Sequence, residues 1–195
     1  MKFIFFLMLV CILSACGTPV LRENNVELAA VPYDDNRSER DVWQVEGKIA
    51  VKYDSKGLTF RFVWRQKGNQ TMLSFSAPLG VVFRFFITDD YCEYINEKGE
   101  VFRATSSEEL MLNEIGWFVP IKRAMFWIKG IPFPDAKIEA VSLYQDNNYK
   151  QFTQLPWTVT VEEYFTDRRL PKAIVFLSDG VRIKVAIKKW NFRYD

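Results

Sequence analysis

Few side chains in this 195-residue chain could carry out chemistry. Histidine is absent, which removes the commonest general base and the commonest metal ligand. The sequence also lacks a Gly-x-Ser-x-Gly nucleophile elbow, a glycine-rich phosphate loop and paired cysteines at metal-binding spacing. Carboxylate-only or Ser–Lys catalysis stays open, although no spacing proposes it. We therefore predict a protein that is not an enzyme and that has neither a cofactor nor a bound metal.

Cysteine is the remaining reactive residue type, and Cys16 stands in the most informative context. Lys2 and the apolar run 3–13 precede Ser14-Ala15-Cys16. This run is too short to span a bilayer, and the whole order is typical of a signal peptide. Leu13-Ser14-Ala15-Cys16 resembles the bacterial lipobox, in which the cysteine becomes the lipidated first residue of the mature protein. The alternative is an ordinary secretory signal that contains a cysteine.

The lipobox also predicts a location and a domain division. Gly17 follows Cys16, whereas Asp at this position favours inner-membrane retention in enterobacterial lipoproteins. We expect a lipid-anchored protein of the outer membrane that faces the periplasm of a Gram-negative bacterium. Residues 1–15 would be the lipoprotein signal peptide, 16–40 the lipidated N-terminus and tether, and 41–195 the folded domain. Whether the leading segment, residues 23–30, is helical stays open.

The composition narrows the function classes. Lys and Arg number 26 against 24 Asp and Glu, so the net charge of +2 does not favour nucleic acid as a partner. Aromatic residues make up 16% of the chain and must enter a core, a cavity or a partner surface. Cys11 would be removed with the signal peptide, which leaves Cys92 alone, and we interpret it as a buried structural thiol. We expect a monomer.

Period-two alternation predicts the strands that must position any site. It begins at Trp43 and continues through hairpins at Lys56-Gly57, Gly68-Asn69, Asp89-Asp90 and Lys98-Gly99. It returns after residue 138 and ends in a hairpin whose turn is predicted by Ser178-Asp179-Gly180. About ten or eleven antiparallel strands result, and a sheet of that length must curl.

A helical period interrupts the strands in the middle of the chain. Ser106 and Glu109 form a capping-box pattern, and Gly116 ends the first predicted helix. Pro120 begins a second helix that stops at Gly130. The two short helices could plug the open side of the sheet or could form a movable cover. Both possibilities remain open from the sequence.

Motifs throughout the mature chain resemble the LolB family of outer-membrane lipoprotein receptors. The resemblance rests on the order and spacing of Gly47-Lys48-Ile49-Ala50-Val51, Phe62-Val63-Trp64-Arg65-Gln66, Ala77-Pro78-Leu79-Gly80, Glu108-Glu109-Leu110, Val119-Pro120, Trp127-Ile128-Lys129-Gly130-Ile131-Pro132, Trp157-Thr158-Val159, Leu170-Pro171 and Lys188-Lys189-Trp190.

The resemblance implies a mainly β fold with a helical insertion. In it, a curved antiparallel sheet of about 11 strands forms an incomplete, half-open β-barrel, and a lid of short α-helices covers an apolar cavity for acyl chains. It implies as partners a LolA-like periplasmic lipoprotein carrier, cargo lipoproteins and the inner leaflet of the outer membrane. The carrier family shares the architecture but lacks a lipid anchor, so the lipobox separates the two.

The turn Pro78-Leu79-Gly80 is the sharpest candidate site. Proline and glycine favour a surface turn, where Leu79 would be an exposed apolar side chain. The resemblance implies that this loop assists insertion of the cargo into the membrane. Alternatively, Leu79 folds back onto Val81 or Val82.

The candidates for lining the acyl-chain cavity share apolar character and an inward position on a strand or helix. Ordinary core packing is the alternative for each one. On the strands they are Phe60, Phe62, Trp64, Leu73, Phe75, Phe83 and Phe85, and on the helices they are Leu110, Ile115, Met125 and Ile128.

Two further alternatives concern the surface and the function. Arg182, Lys184, Lys188 and Lys189 could contact anionic headgroups or a partner, or could form a solvated strand face. Besides a lipoprotein receptor, the sequence permits a lipid-anchored carrier of a free lipid or amphiphile. It also permits a structural outer-membrane assembly lipoprotein with a solid aromatic core.

Overall fold

The computed structural model describes residues 37, 41–77, 80, 82–167 and 169–192. All of them belong to one compact unit, Asp35–Asp195. Cys16, the predicted tether and the candidate loop residues Pro78 and Leu79 therefore lie outside the described residues, as does the segment 23–30.

Two groups of strands flank the helices along the chain. The first group is β1 (Val42–Tyr53), β2 (Lys56–Lys67), β3 (Gln70–Ser76), β4 (Val82–Ile87), β5 (Cys92–Ile95) and β6 (Val101–Ala104). The second is β7 (Ala140–Leu143), β8 (Tyr149–Gln154), β9 (Trp157–Tyr164), β10 (Pro171–Ser178) and β11 (Val181–Asn191). The helices α1 (Ser107–Ile115) and α2 (Ile121–Trp127) lie between the groups.

All eleven strands join one antiparallel sheet in the order β6-β5-β4-β3-β2-β1-β11-β10-β9-β8-β7. Only the β1–β11 pairing joins strands that are distant in sequence, and it unites the two groups. Because β6 and β7 stand at opposite ends of this order, the sheet is open. The predicted mainly β fold with a helical insertion is confirmed.

A glycine permits the closest approach between the two groups of strands. The register of β1 against β11 shifts between Glu46 and Gly47, which marks a bulge. A β-carbon at Gly47 would collide with the carbonyl oxygen of Ala186 on β11. Any larger residue at position 47 would therefore push β1 away from β11 at the centre of the sheet.

The ends of α1 follow the predicted capping pattern. The Ser106 hydroxyl accepts a hydrogen bond from the backbone N–H of Glu109 at 3.2 Å. Gly116 ends the helix in the left-handed conformation, with φ of 81°, and its N–H donates to the carbonyl of Leu112. The second helix is preceded by Pro120 as its N-cap residue. Both predicted helices are confirmed, although α2 ends at Trp127, three residues before the predicted stop at Gly130.

Candidate functional site

An apolar cavity of about 50 Å³ lies between the inner face of the sheet and the helical segment. All of its lining residues are apolar, and they come from both groups of strands, from both helices and from the link between the helices. They are Ile49, Phe62, Trp64, Leu73, Phe75, Phe83, Phe85, Met111, Ile115, Trp117, Val119, Ile121, Ala124, Ile128, Phe176, Ile183 and Val185.

On β2, β3 and β4 the wall of the cavity consists of two rows of large side chains. Strand register sets these rows, because residues directly opposite each other in an antiparallel sheet point to the same face. The rings of Phe75 and Phe83 stack at a centroid distance of 4.8 Å and an interplanar angle of 20°. Across β2, β3 and β4 the rows are Phe62–Phe75–Phe83 and Trp64–Leu73–Phe85.

Most of the cavity candidates predicted from the sequence line this cavity. Eight of the eleven line the cavity: Phe62, Trp64, Leu73, Phe75, Phe83, Phe85, Ile115 and Ile128. Their role in binding acyl chains stays a prediction.

The other three candidates lie outside the lining, and the reasons are geometric. Phe60 is half-buried, and its ring packs edge-on against Phe83 at 5.2 Å. Leu110 is buried, but Met111, about 100° further round α1, faces the cavity instead. Met125 also lies outside the lining, because its neighbour Ala124 faces the cavity instead. The Met125 sulfur lies 3.9 Å from the Thr71 hydroxyl.

Nine lining residues were missed from the sequence. The same period-two series that identified the strands contains Ile49, Ile183 and Val185, so strand alternation could have found them. Trp117 and Val119 occupy the irregular link between the helices, where no periodicity gives a signal. The remaining four are Met111, Ile121, Ala124 and Phe176.

A buried amide fixes the C-terminal end of α2 to the second group of strands. Gln154, at the end of β8, has no exposed surface. Its Oε1 accepts hydrogen bonds from Trp127 Nε1 at 2.8 Å and from the backbone N–H of Phe133 at 2.9 Å. Its Nε2 donates to the carbonyls of Phe133 at 2.7 Å and of Ala136 at 2.8 Å. All of its hydrogen-bonding capacity is therefore used by Trp127 and by the chain that follows α2.

The attachment of α1 to the sheet differs from that of α2, because it consists of apolar contacts. Within the part of the chain that the structure describes, no hydrogen bond joins α1 to the sheet, and its buried residues Leu110 and Met111 provide apolar contacts. Besides the contact of the Thr71 hydroxyl with the Met125 sulfur, an exposed ion pair between Lys122 and Asp89 at 3.5 Å links α2 to the first group of strands. Such pairs contribute little in water.

Cys92 has a structural environment. It is 1% exposed, and its thiol donates a hydrogen bond to the carbonyl of Ala104 at 3.3 Å. Burial raises the pKa of this thiol above its ordinary value, which favours the unreactive protonated form. Among the described residues, no three His, Cys, Asp or Glu side chains are close enough together to hold a metal ion. No helix in the described ranges is long and apolar enough to cross a membrane.

Comparison of structures places this fold among known ones. A LolA superfamily protein from Nitrosomonas europaea superposes with a TM-score of 0.52 over 80% of this chain and 88% of that one. The two sequences are 15% identical, so the likeness concerns the fold alone.

Comparison of sequences identifies the family. Outer-membrane lipoprotein LolB of Francisella tularensis subsp. tularensis is 27% identical over 193 residues, covering 95% of this chain and 91% of that protein. The protein of the same name from Marinobacter nauticus is 29% identical over 80% of this chain and 78% of its own length. The family model described as Outer membrane lipoprotein LolB matches residues 41–190. The chain therefore belongs to the LolB family of outer membrane lipoproteins.

Proposed function

We propose that this protein is an outer-membrane receptor that accepts lipoproteins from a periplasmic carrier and inserts them into the inner leaflet of the outer membrane. The observation that supports it most is the wholly apolar lining of the cavity beneath the helices. In this proposal residues 1–15 are the signal peptide and Cys16 carries the lipid. Residues 16–40 form the tether, and residues 41–195 form the domain that binds acyl chains.

The energy of acyl-chain burial explains why such a receptor is needed. Each methylene contributes about 0.8 kcal/mol to burial, so exposing a chain of about 15 methylenes to water costs about 12 kcal/mol. Transfer from one apolar cavity to another avoids that cost. Net direction requires that the receptor bind the chains more tightly than the carrier does, and the bilayer more tightly still.

The size of the cavity implies that loading changes the structure. An engineered apolar cavity that binds benzene has a volume of about 150 Å³, and the volume here is about 50 Å³. Acyl chains can therefore enter only if side chains re-pack or the helical segment moves. We infer that α1 moves more readily than the C-terminal end of α2, because Gln154 fixes Trp127 whereas α1 has only apolar contacts with the sheet.

A transfer assay tests the proposed function. The full chain is reconstituted into phospholipid vesicles and mixed with a soluble complex of a carrier and a fluorescent lipoprotein. We expect cargo to enter these vesicles faster than it enters protein-free vesicles. Equal rates would overturn the proposal. Phospholipid bound to the purified protein, together with equal rates, would instead indicate a carrier of free lipids.

The candidate loop gives the assay a second stage. We propose that Leu79 of Pro78-Leu79-Gly80 inserts into the membrane during delivery. The flanking residues are close together, because the N–H of Gly80 donates to the carbonyl of Ala77 at 3.0 Å. Leu79→Glu should preserve cargo acceptance and impair delivery, whereas Leu155→Glu, at another exposed leucine, should leave both unchanged. Delivery by Leu79→Glu at the unsubstituted rate would contradict this role.

A further inference from the structure

The end of the β1–β2 hairpin projects beyond the packed core. Tyr53 and Leu58 continue the inward-facing series of their strands, yet they are 39% and 48% exposed. Every residue from 52 to 59 is exposed, on both faces of the hairpin. The hairpin therefore carries an aromatic and an aliphatic side chain to a tip where the protein covers them only in part.

Cations surround this tip on the outer face of the sheet. Lys52 lies directly opposite Arg182 of β11, and Lys48 lies directly opposite Arg61 of β2. Like charges in such pairs destabilise a sheet. No acidic partner is found for Lys48, Lys52 or Arg61 in the described ranges. The fold thus carries an electrostatic cost at this place.

Acidic residues offset only part of this charge. Asp54 and Asp179 occupy the two adjacent turns, and Glu162 pairs with Lys184 at 2.7 Å and with Arg182 at 3.9 Å. These three carboxylates, with Glu46 two residues before Lys48 on the same face of β1, stand against six cations. Five are on the outer face, Lys48, Lys52, Arg61, Arg182 and Lys184, and Lys56 lies opposite Tyr53 on the inner face. We call these six cations, with Tyr53 and Leu58, the basic hairpin surface.

We propose that the basic hairpin surface binds the headgroup region of a bilayer that contains anionic phospholipid. Tyr53 and Leu58 enter the interface between headgroups and acyl chains, where a ring with an apolar body and a polar tip is stable. The cations contact lipid phosphates, and long Lys and Arg stems allow the charges to reach them. The complementary charge and the exposed apolar tip together favour a membrane over water.

This inference rests on the proposed function and adds an orientation to it. Arg61 lies directly opposite Ser76, the last residue of β3. The chain that follows β3, which holds the candidate insertion loop, therefore leaves the sheet beside the basic hairpin surface. Binding of this surface would place cargo delivery at the membrane, whereas Cys16 alone would tether the domain in any orientation.

Labelling of the full chain in vesicles tests the contact. A nitroxide is attached at Leu58→Cys or, as control, at Met72→Cys, which replaces a residue 37% exposed on β3. Met72 pairs with Arg65, seven residues along β2 from Leu58, so the two labels stand about 20 Å apart along the strand direction. Cys16 is kept for lipidation, and every variant carries Cys92→Ala.

The measured quantity is the ratio of two collision rates of the nitroxide. One is its rate of collision with lipid-soluble oxygen, and the other is its rate of collision with a water-soluble nickel complex. In vesicles with phosphatidylglycerol we expect this ratio to be at least about threefold higher at position 58 than at position 72. Lys52→Glu with Arg61→Glu should abolish the difference, whereas Lys67→Glu, at the far end of β2, should leave it. High salt or omission of phosphatidylglycerol should reduce it.

Three outcomes would overturn the inference. These are equal ratios at the two positions, a difference that Lys52→Glu with Arg61→Glu does not alter, and protection of position 58 that arises only when a carrier protein is added. The last outcome would identify a protein-docking surface instead. Cargo transfer measured with the same vesicles separates the two proposals. Transfer with equal label ratios would refute the orientation alone, and absence of transfer would refute the proposed receptor function.

Discussion

The wall formed by β8, β9 and β10 differs from the wall formed by β2, β3 and β4, although both have the same alternation of apolar and polar side chains. On the first wall, Phe152, Val159 and Ile174 have no exposed surface. Trp127 of α2 packs there against Trp157 at 6.0 Å and Phe176 at 5.8 Å. On the second wall, rows of aromatic rings face the cavity.

One helix accounts for much of this difference. Trp127 is completely buried and fills the space over the first wall, whereas Ala124, three residues earlier, lines the cavity with only a methyl group. The size of the side chain that α2 places over each wall therefore decides whether the space there is filled or left open. The filled, solid region fixes the helix, and the open, hollow region leaves the apolar cavity.

Removal of the buried amide should affect the solid region most. Gln154→Leu would leave Trp127 Nε1, the N–H and carbonyl of Phe133 and the carbonyl of Ala136 without their partner. Each unsatisfied buried group costs about 1–3 kcal/mol. We expect the free energy of unfolding, measured by chemical denaturation, to fall by about 4 kcal/mol after partial relaxation.

An exposed glutamine on the same strand provides the control. Gln151 is exposed on β8, and Gln151→Leu should change the free energy of unfolding by less than about 0.5 kcal/mol. A loss at Gln154 that is no larger than the loss at Gln151 would show that the amide does not hold α2.

Overpacking should distinguish the two walls directly. Val161 of β9 has no exposed surface and does not line the cavity, so Val161→Phe should cost about 3 kcal/mol of unfolding free energy. Leu73 lines the cavity, so Leu73→Phe can extend into open space and should cost about 1 kcal/mol or less. Thermal and chemical unfolding measure both values.

The same pair of variants tests ligand binding. Leu73→Phe should reduce photolabelling by a lipopeptide whose acyl chain carries a diazirine, because it fills space that the chain needs. Equal destabilisation by the two variants would mean that the cavity does not tolerate added volume and that the contrast between the walls is false.

The sequence predicted the elements well because their signals are local. Alternation and turn residues predicted about ten or eleven strands, and the described residues form eleven. Ser106 and Gly116 bounded α1, and Asp179-Gly180 identified the β10–β11 turn. The hollow was less predictable, because it depends on the rotation of α2 against two distant strand walls. Phe60 illustrates the same problem, since its strand continues beyond the cavity into a projecting hairpin.

A glycine contact should show how closely the end of the helical segment must approach the solid wall. Gly130 has φ of 77°, and a β-carbon there would lie 2.8 Å from Pro171 Cγ and 3.1 Å from the Tyr164 hydroxyl. Gly99 has φ of 81° but open space around it. Gly99→Ala should therefore cost about 1 kcal/mol from backbone strain, and Gly130→Ala about 2 kcal/mol. Equal melting temperatures for the two variants would show that Pro171 yields without cost.

A small effect on stability should come from the cap of α1, on the hollow side. Ser106→Ala removes the hydroxyl that accepts from the Glu109 N–H and should cost about 1 kcal/mol. Because α1 has no hydrogen bond to the sheet within the described chain, this loss should loosen the helix over the cavity while Trp127 stays fixed by Gln154. We therefore expect faster lipopeptide photolabelling of the cavity, with hydrogen exchange increased in α1 and unchanged in β8. Ser107→Ala, one residue inside the helix, is the control. If Ser106→Ala increased exchange equally in α1 and β8, the two regions would open together, and the helices would act as a fixed plug.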